Sequence, residues 1–401
     1  MKKQFQTKED IIYPEICIAI DNCFASKRYT EPDDWMSLIR DLGVSFIEAS
    51  ADTECDPLYM GREYLRKWVD KASHASVKYG VSICNLYSGH GTYSTLGLSH
   101  TDPIVRDRIL NGWLKPMVET AAALDAGLGF FCHAFPNSVL QNPDSYLAFK
   151  NELLKNLAET AQFARVAGCK TIGVEQMYSP HQIPWTIKGA RDLMNQIIEK
   201  SVQPMYITID TGHQSGQGNF MKPKKETLIR AMEQYRENGQ FDPLWLGPDT
   251  AYGLFETCND LNSIQFEDLV SQIHYEMENF PYLFSETEDG SPYRWLEELA
   301  CYSPVIHLQQ TDGTSSGHRP FTRLNNEKGI IEGRKVLEAI KTSYENQHDL
   351  NVPKVDRIYM TIEIFASTGS INYFTIRELE ETIRYWRKFI PEDGKRLNEL
   401  V

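Results

Sequence analysis

Residues 171–213 read TIGVEQMYSPHQIPWTIKGARDLMNQIIEKSVQPMYITIDTGH. A short β-rich run, Thr171–Gln176, leads into a segment of helical periodicity, Thr186–Lys200, and then into a second β-rich run, Tyr206–Asp210. Apolar strands joined by an amphipathic helix mark a parallel βα unit. The alternation extends in both directions, with strands expected at Ile16–Ile20, Ser45–Ala49, Val81–Leu86 and Gly129–Ala134, and again at Val305–Gln309 and Tyr359–Phe365. Helical stretches at Asp33–Leu42, Glu63–Tyr79, Val105–Leu124, Tyr146–Ala167 and Thr375–Phe389 separate them. Gly43, Gly80, Gly127 and Gly168 precede the second to fifth strands, where a helix C-cap calls for positive φ. About eight strands with intervening helices give an α/β fold, and a closed (β/α)8 TIM barrel over an open sheet.

One interval breaks the period. From Asp210 to His307 is 97 residues, and Tyr293–Ala300 already supplies the helix before the seventh strand. Residues of about 217–290 therefore read as a long insertion after strand 6, with helical pieces at Lys224–Glu237 and Phe266–Glu278. Barrel βα loops open on the catalytic face, so a single barrel domain over 1–401 with an elaborated lid is expected.

Composition narrows the function classes. The formal net charge of −14 argues against a nucleic-acid partner, which needs clustered Lys and Arg. The opening residues MKKQFQTKED lead to no apolar run long enough for a signal peptide or a membrane span, so a cytoplasmic protein without a membrane partner is expected. Eight cysteines, at 17, 23, 55, 84, 132, 169, 258 and 301, contain no CxxC pair and read as reduced structural thiols.

Four polar side chains stand at the carboxyl ends of apolar strands: Glu175 in VEQM, Asp210 in DTGH, His307 in VIHLQQ and Glu363 in TIEIF. Any one of them could simply pair with a helix cap or an Arg. Four on strands five to eight, consecutive around a barrel, can converge on one point at the mouth. Three carboxylates and an imidazole form a hard donor set for Mn²⁺ first, with Mg²⁺, Co²⁺ or Zn²⁺ as alternatives.

These motifs, with the passage RWLEELACYSPVIHLQQTDG, resemble the xylose isomerase-like barrel superfamily, which includes ketose 3-epimerases, inosose dehydratases and sugar-phosphate epimerases. The resemblance covers most of the chain outside the insertion and the N-terminal tail. It implies that Glu175, Asp210, His307 and Glu363 bind the metal, that His213 contacts substrate, and that Arg319 is the substrate-contacting Arg after the seventh strand, here on a longer segment. His181 stands where ketose 3-epimerases carry a second substrate-contacting glutamate. The resemblance also implies a homo-oligomer.

Chemistry leads the same way. Removing a proton next to a ketone creates an enediolate, which a cation on the carbonyl and hydroxyl oxygens stabilises. Glu175 and Glu363, on non-adjacent strands, could face opposite sides of the substrate as the catalytic pair. His213, His181 and His318 are candidate substrate contacts, and His90, His133, Asp21 and Asn22 could line the mouth or pack as ordinary buried polar residues; His74, His274 and His348 read as surface. TDGTSSGHR, with His318 and Arg319, and Ala366–Ser370 offer hydroxyls and glycine amides for a phosphate, or simply make turns. The expectation is a divalent-metal isomerase or epimerase of a small ketose or ketose phosphate, with a tetrulose phosphate such as erythrulose phosphate the sharpest substrate. The rivals are an inosose-type dehydratase and a non-catalytic sugar-binding barrel.

Overall fold

A computed structural model describes residues 11–132, 134–241, 243–260, 263–347 and 349–401. Eight parallel strands close on themselves: β1 (Glu15–Asp21), β2 (Phe46–Ser50), β3 (Ser82–Tyr87), β4 (Gly127–Phe130), β5 (Ile172–Glu175), β6 (Tyr206–Asp210), β7 (Val305–Leu308) and β8 (Arg357–Ile362). Closure comes from β1, which pairs in parallel with both β2 and β8. A two-residue strand, β9 (Lys395–Arg396), adds antiparallel to the outer end of β1.

Helices wrap the barrel, and their starts explain why they form where they do. Proline occupies the first turn of Pro32–Asp41, Pro57–Tyr79, Pro103–Ile109, Pro143–Ala167 and Pro292–Leu299. There its missing N–H has no partner to lose. Asp56, Asp102, Asn142, Thr186 and Ser291 each accept an N-terminal N–H as side-chain caps. The inward stripes bury Trp35, Trp68, Trp113, Trp295 and Trp386 between helices and barrel. That apolar burial is the main term holding the shell to the sheet.

Left-handed C-caps occur at Gly80 (φ 66°) and Gly168 (φ 82°), and Gly43 also has positive φ (78°). Gly127 differs from expectation. It lies inside β4, while the positive φ before that strand falls on Asp125 (φ 56°). The glycine serves the barrel interior instead: it sits opposite Asn85 of β3, and an added Cβ would overlap Thr171 Oγ1 and Asn85 Oδ1. Gly127→Ala is therefore expected to destabilise the protein by about 1–3 kcal/mol, read as a lower denaturant midpoint. Gly218→Ala, with nothing within 4 Å of its would-be Cβ, should leave the midpoint unchanged.

The long segment after β6 carries helices Lys225–Asn238, Asp249–Glu256 and Ser263–Asn279. Leu228, Met232, Phe255, Leu269, Val270 and Ile273 belong to a hydrophobic cluster of its own, distinct from the barrel core. Among the described residues no helix is long and apolar enough to cross a membrane, and all eight cysteines are free.

Candidate metal centre and cavity

Parallel strands present their last inward side chains at the same end of the barrel, and this brings Glu175, Asp210, His307 and Glu363 together. Each offers a ligand atom, and the four atoms lie within 4.8 Å of one another. All four residues are buried. Asp210 lies opposite His307 in the β6–β7 register, and Glu363 follows β8, its N–H bonded to Leu308 O at 3.2 Å.

His307 organises the cluster. Its Nδ1 is 3.0 Å from Glu175 Oε1 and 3.3 Å from Glu363 Oε2, and its Nε2 is 2.8 Å from Glu48 Oε2. Glu48 was not among the expected site residues. It lies between Asp21 and Asn85 in the barrel register, and its other oxygen accepts from Asn85 Nδ2 at 2.6 Å. A carboxylate on Nε2 fixes the orientation of the ring and leaves Nδ1 facing Glu175 and Glu363, the outer-partner arrangement that orients a metal-binding imidazole. Glu48→Gln gives two waiting donors, His307 and Asn85, one oxygen in place of two. Divalent-metal affinity, measured by chelator competition, is expected to fall about 10- to 100-fold.

The donor set fits a divalent cation on electrostatic grounds. Asp21, Glu48, Glu175, Asp210 and Glu363 are all buried, and among the described residues their ion-pair partners are histidines, with no Lys or Arg. So many buried carboxylates are costly without a strong counter-charge. Burial, then the neighbouring Glu48 and Glu363, pushes the Asp21 carboxyl well above its usual range. Burial opposes a charge on His307, yet Glu363 and Glu48 outweigh it and raise the imidazole well above its ordinary value. Burial likewise works against Glu363, but the rings of His307 and His318 hold its carboxyl well below the usual range. Glu363 Oε2 is 3.3 Å from Nδ1 of each ring, yet it is buried without a properly directed hydrogen bond. Asp210 is oriented by Gln309 Nε2, which donates to Oδ1 and Oδ2 at 2.8 and 3.0 Å, and by Gly212 N at 2.6 Å. His213 N also donates to Oδ1, at 3.2 Å, so that oxygen is saturated and Oδ2 is the one with acceptor capacity left for a cation.

Above the cluster opens a cavity of about 890 Å³. Glu175 and Glu363 line it, while Asp210 and His307 lie beneath. Tyr87 donates its hydroxyl to Glu175 Oε2 from the wall. His213 lines the cavity with Nδ1 2.7 Å from Gln176 O, and Nε2 lies 3.9 Å from Asp210 Oδ2. His318 stacks on Phe365 with ring centroids 3.9 Å apart. Burial would lower its pKa, but Glu363, Asp210 and Glu175 push it up to about 9.

Other expected contacts are not brought to the cavity. Arg319 Nη1 pairs with Asp312 Oδ2 at 2.8 Å, and neither residue is in the lining. His181 bonds through Nδ1 to Phe135 O at 2.7 Å, also outside the lining. Of the described residues in segment 217–290, only Asn219 reaches the wall. Asp21 lines the cavity, whereas Asn22 is fully buried and accepts from Ser50 N and Thr53 Oγ1. His133 and His348 lie outside the described residues, as does the side chain of His90.

With this geometry in place, comparison with known proteins supplies the family. The family model described as xylose isomerase-like TIM barrel matches residues 36–238, just over half the chain. The chain belongs to this family. A stretch of 112 residues is 28% identical to D-erythrulose 1-phosphate 3-epimerase of Brucella abortus strain 2308, covering 27% of this chain and 33% of that protein. The match thus spans about a third of the relative's length. Among solved structures, a protein from Rhodospirillum rubrum provisionally named a xylose isomerase superposes with a TM-score of 0.67 at 16% identity, over 93% of this chain and 99% of that one. D-psicose 3-epimerase from Clostridium cellulolyticum H10, solved with D-tagatose, gives 0.52 at 10% identity, over 93% and 98%. At these identities the superpositions speak for the barrel alone.

Proposed function

We propose that this protein is a divalent-metal-dependent isomerase or epimerase of a small ketose or ketose phosphate, working through an enediolate, with an erythrulose phosphate the sharpest substrate. The observation that carries the reading is that Glu175 and Glu363 belong to the ligand cluster and also face the cavity. The partial match to an erythrulose 1-phosphate epimerase supports the substrate class. Mn²⁺ is the favoured cation for this oxygen-rich donor set.

A cation held by the four residues would stabilise the negative charge that develops on the substrate oxygens during proton removal. The protein's own groups do the rest. Glu175 Oε1 faces His307 while Oε2 accepts from the Tyr87 hydroxyl, a hydrogen bond that stabilises the carboxylate whenever Oε2 carries no proton. Glu363 Oε2 faces His307 and His318, leaving Oε1 for proton work on the other side of the reacting carbon. His213 and His318, both in the wall, bind and orient substrate hydroxyls. Phe131, Met177 and Phe365 supply apolar wall that displaces water from the enediolate.

The test is a panel of ketoses and ketose phosphates incubated with Mn²⁺ in D₂O, reading which carbon exchanges its hydrogen. Exchange at the carbon next to the carbonyl with an epimer or aldose as product is the expected result. Loss of water would move the protein to the dehydratases, and binding without exchange would make it a sugar-binding barrel.

A further inference from the structure

Among the described lining residues the cavity has a single Lys or Arg, Lys27, on the loop after β1. Its backbone adopts φ 61°, a left-handed conformation that usually falls to glycine or asparagine. The neighbouring residue explains how the loop is held. Arg28 donates to the carbonyl oxygens of Phe24, Ala366, Ser367 and Ser370, and Cys23 Sγ reaches Ile364 O at 3.4 Å. The loop after β1 is thereby tied to the loop after β8, and Lys27 stands in the wall beside the segment that follows Glu363.

Lys27 is exposed and carries no hydrogen bond or salt bridge among the described residues. Other surface lysines of this chain, such as Lys67, Lys71 and Lys78, are paired with carboxylates. Lys27 shares its cavity with Asp21, Asp52, Glu175 and Glu363 and is bonded to none of them. Ser26, Ser315, Ser316 and Ser367 line the same cavity and offer hydroxyl donors. Arg319, the cation expected to hold an anion, is already neutralised by Asp312.

We propose that Lys27, with these serines, is the handle for a phosphomonoester on the substrate. The proposal rests on the reading of the protein as a sugar-phosphate enzyme and assigns the charged end of that substrate to the loop after β1. A lone ammonium against a phosphate forms a charge-assisted contact, and the left-handed backbone fixes where the side chain leaves the wall.

The test is calorimetric binding of sn-glycerol 3-phosphate, with glycerol as the uncharged control, to the wild-type protein and to Lys27→Met and Lys27→Arg. Wild type should bind the phosphoester and not glycerol. Lys27→Met should bind it roughly 10- to 100-fold more weakly with an unchanged melting temperature, and Lys27→Arg should stay within about 3-fold of wild type. A wild-type protein that does not bind the phosphoester, or a Lys27→Met variant that binds as tightly as wild type, overturns the assignment. Because no turnover is read, failure of the hydrogen-exchange panel would count against the proposed reaction and not against this handle.

Discussion

Purified His307→Ala and Asp210→Asn proteins are expected to carry far less divalent metal than wild type and to lose activity in proportion. His307→Ala removes the ring, and in Asp210→Asn the one remaining oxygen is taken by Gly212 N and the amide nitrogen stands where Oδ2 was, so each loses a donor from a cluster whose atoms lie within 4.8 Å of one another. The loss should exceed the about 10- to 100-fold that removal of an outer partner costs. The two variants should differ in stability. The Asp210→Asn side chain keeps the volume of the aspartate and an oxygen for Gly212 N, so the fold should persist. His307→Ala leaves Glu48 and Glu175 without the ring that lies 2.8 and 3.0 Å from them, and an uncompensated buried charge costs about 3–5 kcal/mol. Metal content by elemental analysis and thermal melts of both proteins check this. Full occupancy in both variants would remove these residues from the metal site.

The strand pattern and the four strand-end residues of the cluster were legible because the signal is local. An ionisable residue at the end of an apolar run is either used or paired, and Glu175, Asp210, His307 and Glu363 each showed it. Glu48 carries the same signal, a charge within FIEAS, but its partners His307 and Asn85 lie 259 and 37 residues away and only the barrel brings them together. Arg319 is placed outside the cavity lining for the opposite reason: an acid only seven residues away, Asp312, holds it in a local pair. Lys27 gave no sequence signal, since a lysine on a loop is ordinary until its φ and its place in the cavity wall are known. Two helices, Gly333–Glu345 and Asp249–Glu256, also escaped the reading. Neither has a side-chain cap, one begins at a glycine and the other contains Gly253.

The proton chemistry gives the second large effect. Glu175→Gln and Glu363→Gln should each retain part of the metal affinity, since an amide oxygen still coordinates, yet each should lose about 10²- to 10⁴-fold in kcat because an amide accepts no proton. The surroundings differ enough for the two variants to part company. Glu175 bonds to the Tyr87 hydroxyl, whereas Glu363 lies beside two imidazoles, His307 and His318. In a two-base epimerase each glutamate serves one face of the substrate. One variant should then still exchange the substrate hydrogen of one epimer in D₂O while forming no product, and the other should do so only with the opposite epimer. If a single base shuttles the proton between adjacent carbons, as in aldose–ketose isomerisation, only one of the two substitutions should abolish exchange. Near-wild-type turnover in both would refute the two glutamates as proton carriers even with the barrel and the metal site intact.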